Sequence, residues 1–443
     1  MKNRPLEYQK YLQVIDAHPA LTIKGRVTQV IGLVMEVSGI RPYIGEVCLV
    51  KTAAHKEKPV LAEAVGFRQD RSLLMPLGDL RGMGPGCSVE ATGSSFLVRV
   101  GSGILGQVLD GLGRPLQEAG NLGALHPVPV ENEPPHPLQR KPITETMETG
   151  VRAIDTLLTC GQGQRIGIFS GSGVGKSTLL GMIARYSAAD VNVIALVGER
   201  GREVGEFLRQ DLGAAGLKRS VVVVSTSERP AMERVKAALV ATAVAEYFRE
   251  QGLKVILMMD SLTRFAMALR EIGLAIGEPP TTKGYTPSVF ATLPKLLERS
   301  GTARQGSITG FYTVLVDGDD FNEPIADAVR GILDGHIILS RELAARNHFP
   351  SIDVLGSVSR LMPQLIDAEH KKQAAEVKEL LAVYRETEDL INIGAYVQGS
   401  NPRVDRAITY RDKIRAFLCQ DQAESVSWRQ SRQALQNLLA FEN

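Results

Sequence analysis

Between Leu21 and Val100 the apolar positions fall in short, Val-rich runs broken by Gly or Pro: GRVTQVIGLVMEVSG, GEVCLV, LAEAVGFRQD, SLLMPLG and CSVEATG. No helical period separates them, which predicts a small closed or nearly closed β domain over 21–100. From Gly150 to about Asp353 the pattern changes. The apolar runs NVIALVGE, SVVVVST, KVILMMD, ITGFYTVLV and HIILSR alternate with stretches of helical spacing, among them Arg202–Gly216 and Ala231–Gln251. Buried parallel strands alternating with helices predict a doubly wound α/β core. After Leu365 no strand-like run remains, and HKKQAAEVKELLAVYRETEDLI and DRAITYRDKIRAFL read as amphipathic helices. The expected layout is therefore a β domain over 21–100, a core over 101–365 and a helical C-terminal domain over 366–443. The Pro-rich connector 115–145 holds no Ser/Gly tract, so it is expected to run extended along the core. Residues 1–20, with Leu6, Tyr11, Leu12 and Ile15 apolar between charges, fit either a frayed terminus or a partner-binding helix.

The core opens on RIGIFSGSGVGKSTLL, Arg165 to Leu180. A short apolar strand breaks into a Gly-rich turn, and a helical pattern follows Lys176. Gly171, Gly173 and Gly175 let backbone N–H groups turn inward and approach a phosphate, with Ser172 and Val174 between them. The helix beginning near Gly175 adds its positive dipole end. Lys176 is spaced to reach the β- and γ-phosphates, the Ser177 hydroxyl to ligate Mg²⁺, and Thr178 completes the motif. The strict P-loop pattern begins with Gly where this chain has Ser170; the tight part, GVGKST, is intact.

Two strand ends carry carboxylates. Asp260 closes KVILMMD, where it can face Mg²⁺ opposite Ser177 or cap the next helix. Glu199 closes NVIALVGE, where it can orient a water beside the γ-phosphate or pair with Arg200 or Arg202. Arg264, one helical turn past Asp260, can face the same phosphates. Arg360 lies far on, in FPSIDVLGSVSRLMP, and sequence alone leaves a surface ion pair and an arginine lent to another subunit both open.

Totals narrow the class. Lys plus Arg (51) nearly balances Asp plus Glu (49), and aromatics make up 5 %. Neither a global positive field nor a base-stacking platform is indicated, so no nucleic-acid partner is expected. Cys48, Cys87, Cys160 and Cys419 form no CxxC, which predicts reduced, buried thiols in a cytoplasmic protein. The longest apolar stretch, Ala237–Phe248, contains Glu246 and suits a buried helix better than a span, so any membrane contact is peripheral.

Taken together, GSGVGKST, ALVGERGREV, LMMDSLTRFAMALREIGLAIGEPP and PSIDVLGSVS resemble the α/β-type subunits of rotary ATPases and their secretion relatives. GEPPTTKGYTPSVFATLPKLLERSG and DGDDFNEPIADAVRGILDGHIILSR look most like the flagellar export class, with virulence type III secretion ATPases as near neighbours. The resemblance implies a RecA-like P-loop core, a homohexameric ring and Mg²⁺-dependent ATP hydrolysis that powers export of flagellar proteins. By motif position it implies that Lys176 and Ser177 hold phosphate and Mg²⁺, that Asp260 stands on the metal side, and that Glu199 is the catalytic glutamate. It further implies that Arg264 acts in its own site, that Arg360 is the finger given to the adjacent subunit, and that Phe349 stacks on adenine. Expected partners are a stator at the N-terminal extension, a central stalk at the C-terminal domain, and the export gate, chaperones and substrates, at the inner face of the cell membrane. The rival readings are the catalytic subunit of a proton-translocating ATP synthase, a hexameric RNA helicase and a non-hydrolysing nucleotide-binding scaffold.

Overall fold

The computed structural model describes residue 12 and residues 23–51, 59–117, 122–316, 321 and 323–440. The N-terminal stretch 1–20, read above as either a frayed terminus or a partner-binding helix, lies outside them but for Leu12. The chain divides into a barrel unit, up to Phe96 with Ala275–Gly277, and a larger unit, Leu97–Leu274 with the residues from Glu278 onward.

The barrel strands are β1 (Lys24–Ile31), β2 (Val34–Ser38), β3 (Glu46–Lys51), β4 (Val60–Arg68), β5 (Arg71–Pro76) and β6 (Ser88–Ser95), closed in the order β1-β2-β5-β4-β3-β6. Alternation sends Val27, Met35, Val37, Cys48, Val50, Ala64, Leu74 and Val89 into one core. Closure leaves no free edge. The buried Glu36 is held by Arg71 at 2.7 Å and Arg68 at 3.3 Å.

In the larger unit, β7 (Leu97–Val100) pairs antiparallel with β9 (His126–Pro129), and β10 (Thr146–Met147) with β11 (Cys160–Gly161). A nine-stranded sheet is built from β8 (Val108–Asp110), β12 (Arg165–Ser170), β13 (Val191–Val197), β14 (Ser220–Ser225), β15 (Lys254–Asp260), β16 (Gly301–Thr302), β17 (Ser307–Leu315), β18 (Gly335–Leu339) and β19 (Ile352–Ser359). Its order is β19-β18-β12-β17-β15-β13-β14-β8, with β16 paired to β17. The strands from β18 to β8 along this order run parallel, while β19 is antiparallel to β18. Three strands of this sheet, β8, β16 and β19, escape the sequence pattern. β8 is three residues inside a loop-rich stretch, and β19 alternates burial as an edge strand does, without a continuous apolar run.

The connector is pinned by buried charge. Lys236, on the long buried helix Ala231–Glu250, holds Glu131 at 2.7 Å. Arg299 donates to Glu246 at 2.8 and 2.7 Å and to the Val130 carbonyl at 2.7 Å. Asn132 donates to the same Glu246 at 2.8 Å.

The C-terminal helices Ala368–Asn392, Pro402–Leu418 and Trp428–Leu439 start on side-chain caps from Asp367, Asn401 and Ser427. Val377, Tyr410, Ile414 and Leu435 share one core cluster with Ile168, Leu180 and Ile352 of the sheet region. Buried His370 bonds the Thr156 carbonyl at 2.7 Å and meets Trp428 edge-on. All four cysteines are unpaired; Cys48 and Cys160 are buried, whereas Cys87 and Cys419 are only half-buried, contrary to the expectation for all four. Among the described residues, no helix is long and apolar enough to cross a membrane.

Candidate nucleotide site

Strand β12 delivers the Gly-rich turn at its C-terminal end. Ser170, where the strict motif has Gly, is the last residue of that strand, so an extended backbone accommodates its side chain. The turn itself needs glycine at Gly173 (φ 78°) and Gly175 (φ 88°), the left-handed residue that opens the helix Lys176–Tyr186. Ser351 donates to the Val174 carbonyl at 2.6 Å, tying the turn to the start of β19. An exposed guanidinium, Arg341, stands where a side chain on Gly171 would go, 2.8 Å from that position. Nothing in the sequence pattern pointed to it.

Neighbouring strands β15 and β13 end at the same edge of the sheet, as parallel pairing with a common register requires. Lys176 Nζ lies 2.5 Å from Asp260 and 3.6 Å from Glu199, between the two carboxylates. Thr313, on β17, donates to Asp260 at 2.7 Å and fixes its orientation. Burial works to lower the pKa of Lys176, yet the charges of Asp260 and Glu199 hold it above its ordinary value. Glu199 is pushed up to about 7, by burial first and then by the charge of Asp260. Its carboxyl also bonds Glu203, whose own pKa is lowered by that bond.

Arg264, on the helix Leu262–Ile276, packs its stem against Gly198, the residue before Glu199. A Cβ on Gly198 would meet Arg264 Cβ at 2.9 Å, and its φ is 74°, so only glycine lets the arginine lie along this turn. Arg264 Nε and Ser170 Oγ are buried without a hydrogen-bond partner among the described residues. A buried guanidinium nitrogen left without a partner is a donor that an anion can satisfy. Ser177 and Asp260 together offer hard oxygen donors, which suit Mg²⁺ held partly by water and phosphate.

Phe349 lies 3.4 Å from the position of a Cβ on Gly175 and lines a cleft of about 530 Å³. Thr178 and Met182 form one part of the lining, and Cys419–Gln422, a turn after the C-terminal helix Pro402–Leu418, forms a second wall. This second wall is legible only in the fold, because more than 240 residues separate it from the P-loop.

Arg360 is the one expected site residue the fold does not bring here. Strand β19 runs back from the phosphate edge: Ile352 pairs with Leu339, and Ser359 with Gly335. Arg360 N then bonds the Asp334 carbonyl, and Asp334 receives Arg165 at the start of β12. The exposed Arg360 side chain donates to the Arg330 carbonyl at 3.3 Å. The P-loop begins at the other end of β12, roughly 17 Å along the strand at 3.3 Å per residue.

Residues 150–359 match the ATP synthase alpha/beta family, nucleotide-binding domain, and residues 27–93 match the beta-barrel domain of the same family. Residues 366–437 match the T3SS EscN ATPase C-terminal domain. The Flagellum-specific ATP synthase of Bacillus subtilis (strain 168) is 54 % identical over 437 residues, covering 99 % of this chain and 100 % of that protein. The Type 3 secretion system ATPase of Xanthomonas euvesicatoria is 53 % identical over 398 residues, 89 % of each chain. Among solved structures, the assembled ATPase EscN of the enteropathogenic E. coli type III secretion system superposes with a TM-score of 0.87 at 47 % identity, covering 94 % of this chain and 100 % of that one. EscN in complex with its central stalk EscO gives a TM-score of 0.86.

Proposed function

The chain belongs to the ATP synthase alpha/beta family, as an ATPase of its flagellum-specific and type III secretion branch, and from that premise we propose how its residues divide the work. It hydrolyses ATP in a homohexameric ring whose active sites are shared between neighbours, and the cycle drives protein export. The observation that carries this reading is the split between the two ends of β12. Lys176, Asp260, Glu199 and Arg264 converge at one end, while Arg360 sits at the other, out of reach of its own P-loop.

In this reading the backbone N–H groups of Gly171–Gly175, with Lys176, cradle the phosphates, and Ser177 and Asp260 hold Mg²⁺. Mg²⁺, when bound, neutralises the charge that develops on the β,γ-bridging and γ-phosphate oxygens. Glu199 orients the attacking water; the proximity of Glu203 gives the proton a second carboxylate to rest on. Arg264 turns its unpartnered Nε toward the transferring phosphoryl group from within the subunit, and a neighbour's Arg360 completes the positive cage. Phe349 stacks on the base over the cleft. The helical C-terminal domain is the part that meets a central stalk, by its likeness to EscN, which is solved with EscO. The C-terminal match to the EscN domain also favours this branch over a proton-translocating synthase. Attachment at the inner face of the membrane is then peripheral, through the export apparatus, and a stator at residues 1–20 completes the picture.

The test is complementation within a ring. Arg360→Ala should lower turnover by about three to five decades, with nucleotide binding retained. Glu199→Ala should be equally inactive. Mixing the two variants creates interfaces that pair an intact Glu199 with an intact Arg360, so activity should return to a fraction of wild type. Near-normal turnover in Arg360→Ala, or no recovery on mixing, would sink the shared site.

A further inference from the structure

Gln420 is a buried polar residue, 5 % exposed, in the turn that forms one wall of the base cleft. Every polar group it owns, bar its own carbonyl, reaches a different segment. Its backbone N–H donates to the Phe349 carbonyl at 2.9 Å. Its Oε1 accepts from Arg152 N at 2.8 Å, and its Nε2 donates to the carbonyls of Gly150 at 2.8 Å and Glu424 at 3.0 Å. Arg152 reinforces the same junction, donating to the Phe417 and Cys419 carbonyls at 2.9 and 3.3 Å and pairing with Glu424. On the far side of the turn, Arg185 and Tyr186, at the end of the P-loop helix, hold the Gln422 carbonyl at 2.7 and 3.2 Å.

We propose that Gln420 is a positioning residue for the base of the nucleotide: its side chain anchors the Cys419–Gln422 lining of the cleft, to which its backbone N–H ties Phe349, on the Gly150–Arg152 turn. This rests on the reading of the P-loop as an ATP site. The geometry gives the role a specific signature. Gln420 reaches the base wall and the Gly150–Arg152 turn, and none of its bonds goes to Gly171–Thr178. Loss of the side chain therefore releases the Cys419–Gln422 lining from the Gly150–Arg152 turn, while the backbone bond to Phe349 and the phosphate cradle stay as they were.

The experiment compares ADP with inorganic pyrophosphate, both with Mg²⁺, as ligands of full-length wild type and Gln420→Ala. A residue with three satisfied side-chain bonds and a place in the wall should cost about tenfold in ADP affinity and in KM for ATP, with pyrophosphate affinity held within about twofold. In Gln420→Glu the acceptor is kept and the donor is lost at neutral pH, so ADP affinity should fall and then recover as the pH drops toward 5 and the new carboxyl regains a proton. Equal loss of ADP and pyrophosphate would mean that Gln420 merely holds the fold, and no change in either would remove its role altogether; both overturn the proposal. Should Gln420→Ala not fold, the pH-dependent recovery of Gln420→Glu decides alone, and its absence overturns the proposal. A wild type that binds neither ligand would instead overturn the ATP-site reading.

Discussion

Two buried acid–base clusters sit in the same α/β unit and have opposite characters. Arg299 itself is fully matched, by a bidentate pair with Glu246, both side chains at most 4 % exposed, an amide from Asn132 on the same carboxylate and a carbonyl for the remaining nitrogen, although the adjoining Arg249 keeps a buried Nε without a partner among the described residues. Around Lys176 the matching is incomplete. One ammonium serves two carboxylates, Glu199 is pushed up to about 7 by burial and by Asp260, and Arg264 Nε has no partner among the described residues. Both clusters cost desolvation free energy. The first recovers it within the chain, whereas in the function proposed above the second recovers it by taking a phosphate. In that reading the Lys176 cluster serves the reaction, while the Arg299 cluster holds the connector in place.

The sharpest way to separate them is to neutralise a carboxylate in each. Glu199→Gln should cut ATP turnover by about two to four decades with little change in nucleotide affinity. Its stability should respond in the opposite sense. The folded-state pKa of Glu199 lies above its unfolded value, so wild-type stability declines as pH rises from about 4.5 to 7, and Gln removes that decline. At pH 8 the variant should match or exceed wild type by on the order of 1 kcal/mol, measured by denaturant melts without nucleotide. A wild-type-like rate would break the comparison.

Glu246→Ala should do the reverse. It strands Arg299 in the interior, and about 3–5 kcal/mol of stability should be lost while turnover per folded molecule is kept. Equal loss of turnover would mean that the connector clamp acts on the site.

A smaller effect tests the same logic in the helical domain. His370 is buried as the neutral ring, and burial lowers its pKa to about 4. Because the unfolded chain binds that proton near 6.5, stability is fully present above that pH and is lost as pH falls toward 4, by on the order of 2–3 kcal/mol. His370→Gln should keep a donor for the Thr156 carbonyl and show a shallower acid limb in pH-dependent melts. An unchanged acid limb would assign the titration elsewhere.

Local chemistry was legible from the residues. The P-loop needs glycine at two left-handed positions and a lysine at the start of a helix, all within a dozen residues, so backbone stereochemistry alone writes it into the chain. Asp260 and Glu199 were likewise readable, because a carboxylate ending a continuous apolar run lies at a parallel strand's exit, where ligands bind. Closed barrel, parallel core and helical end followed from the period of the apolar positions. The tertiary structure decided everything that depends on pairing across long separations. The antiparallel return of β19 carries Arg360 to the far end of the sheet, and that pairing, between Ile352–Ser359 and Gly335–Leu339, is not written in either stretch alone. Gln420, Arg341 and Thr313 reach the site from separate segments, and nothing adjacent to them in sequence records the contact. Period and turn chemistry are properties of neighbours along the chain; a site's completeness is a property of neighbours in space.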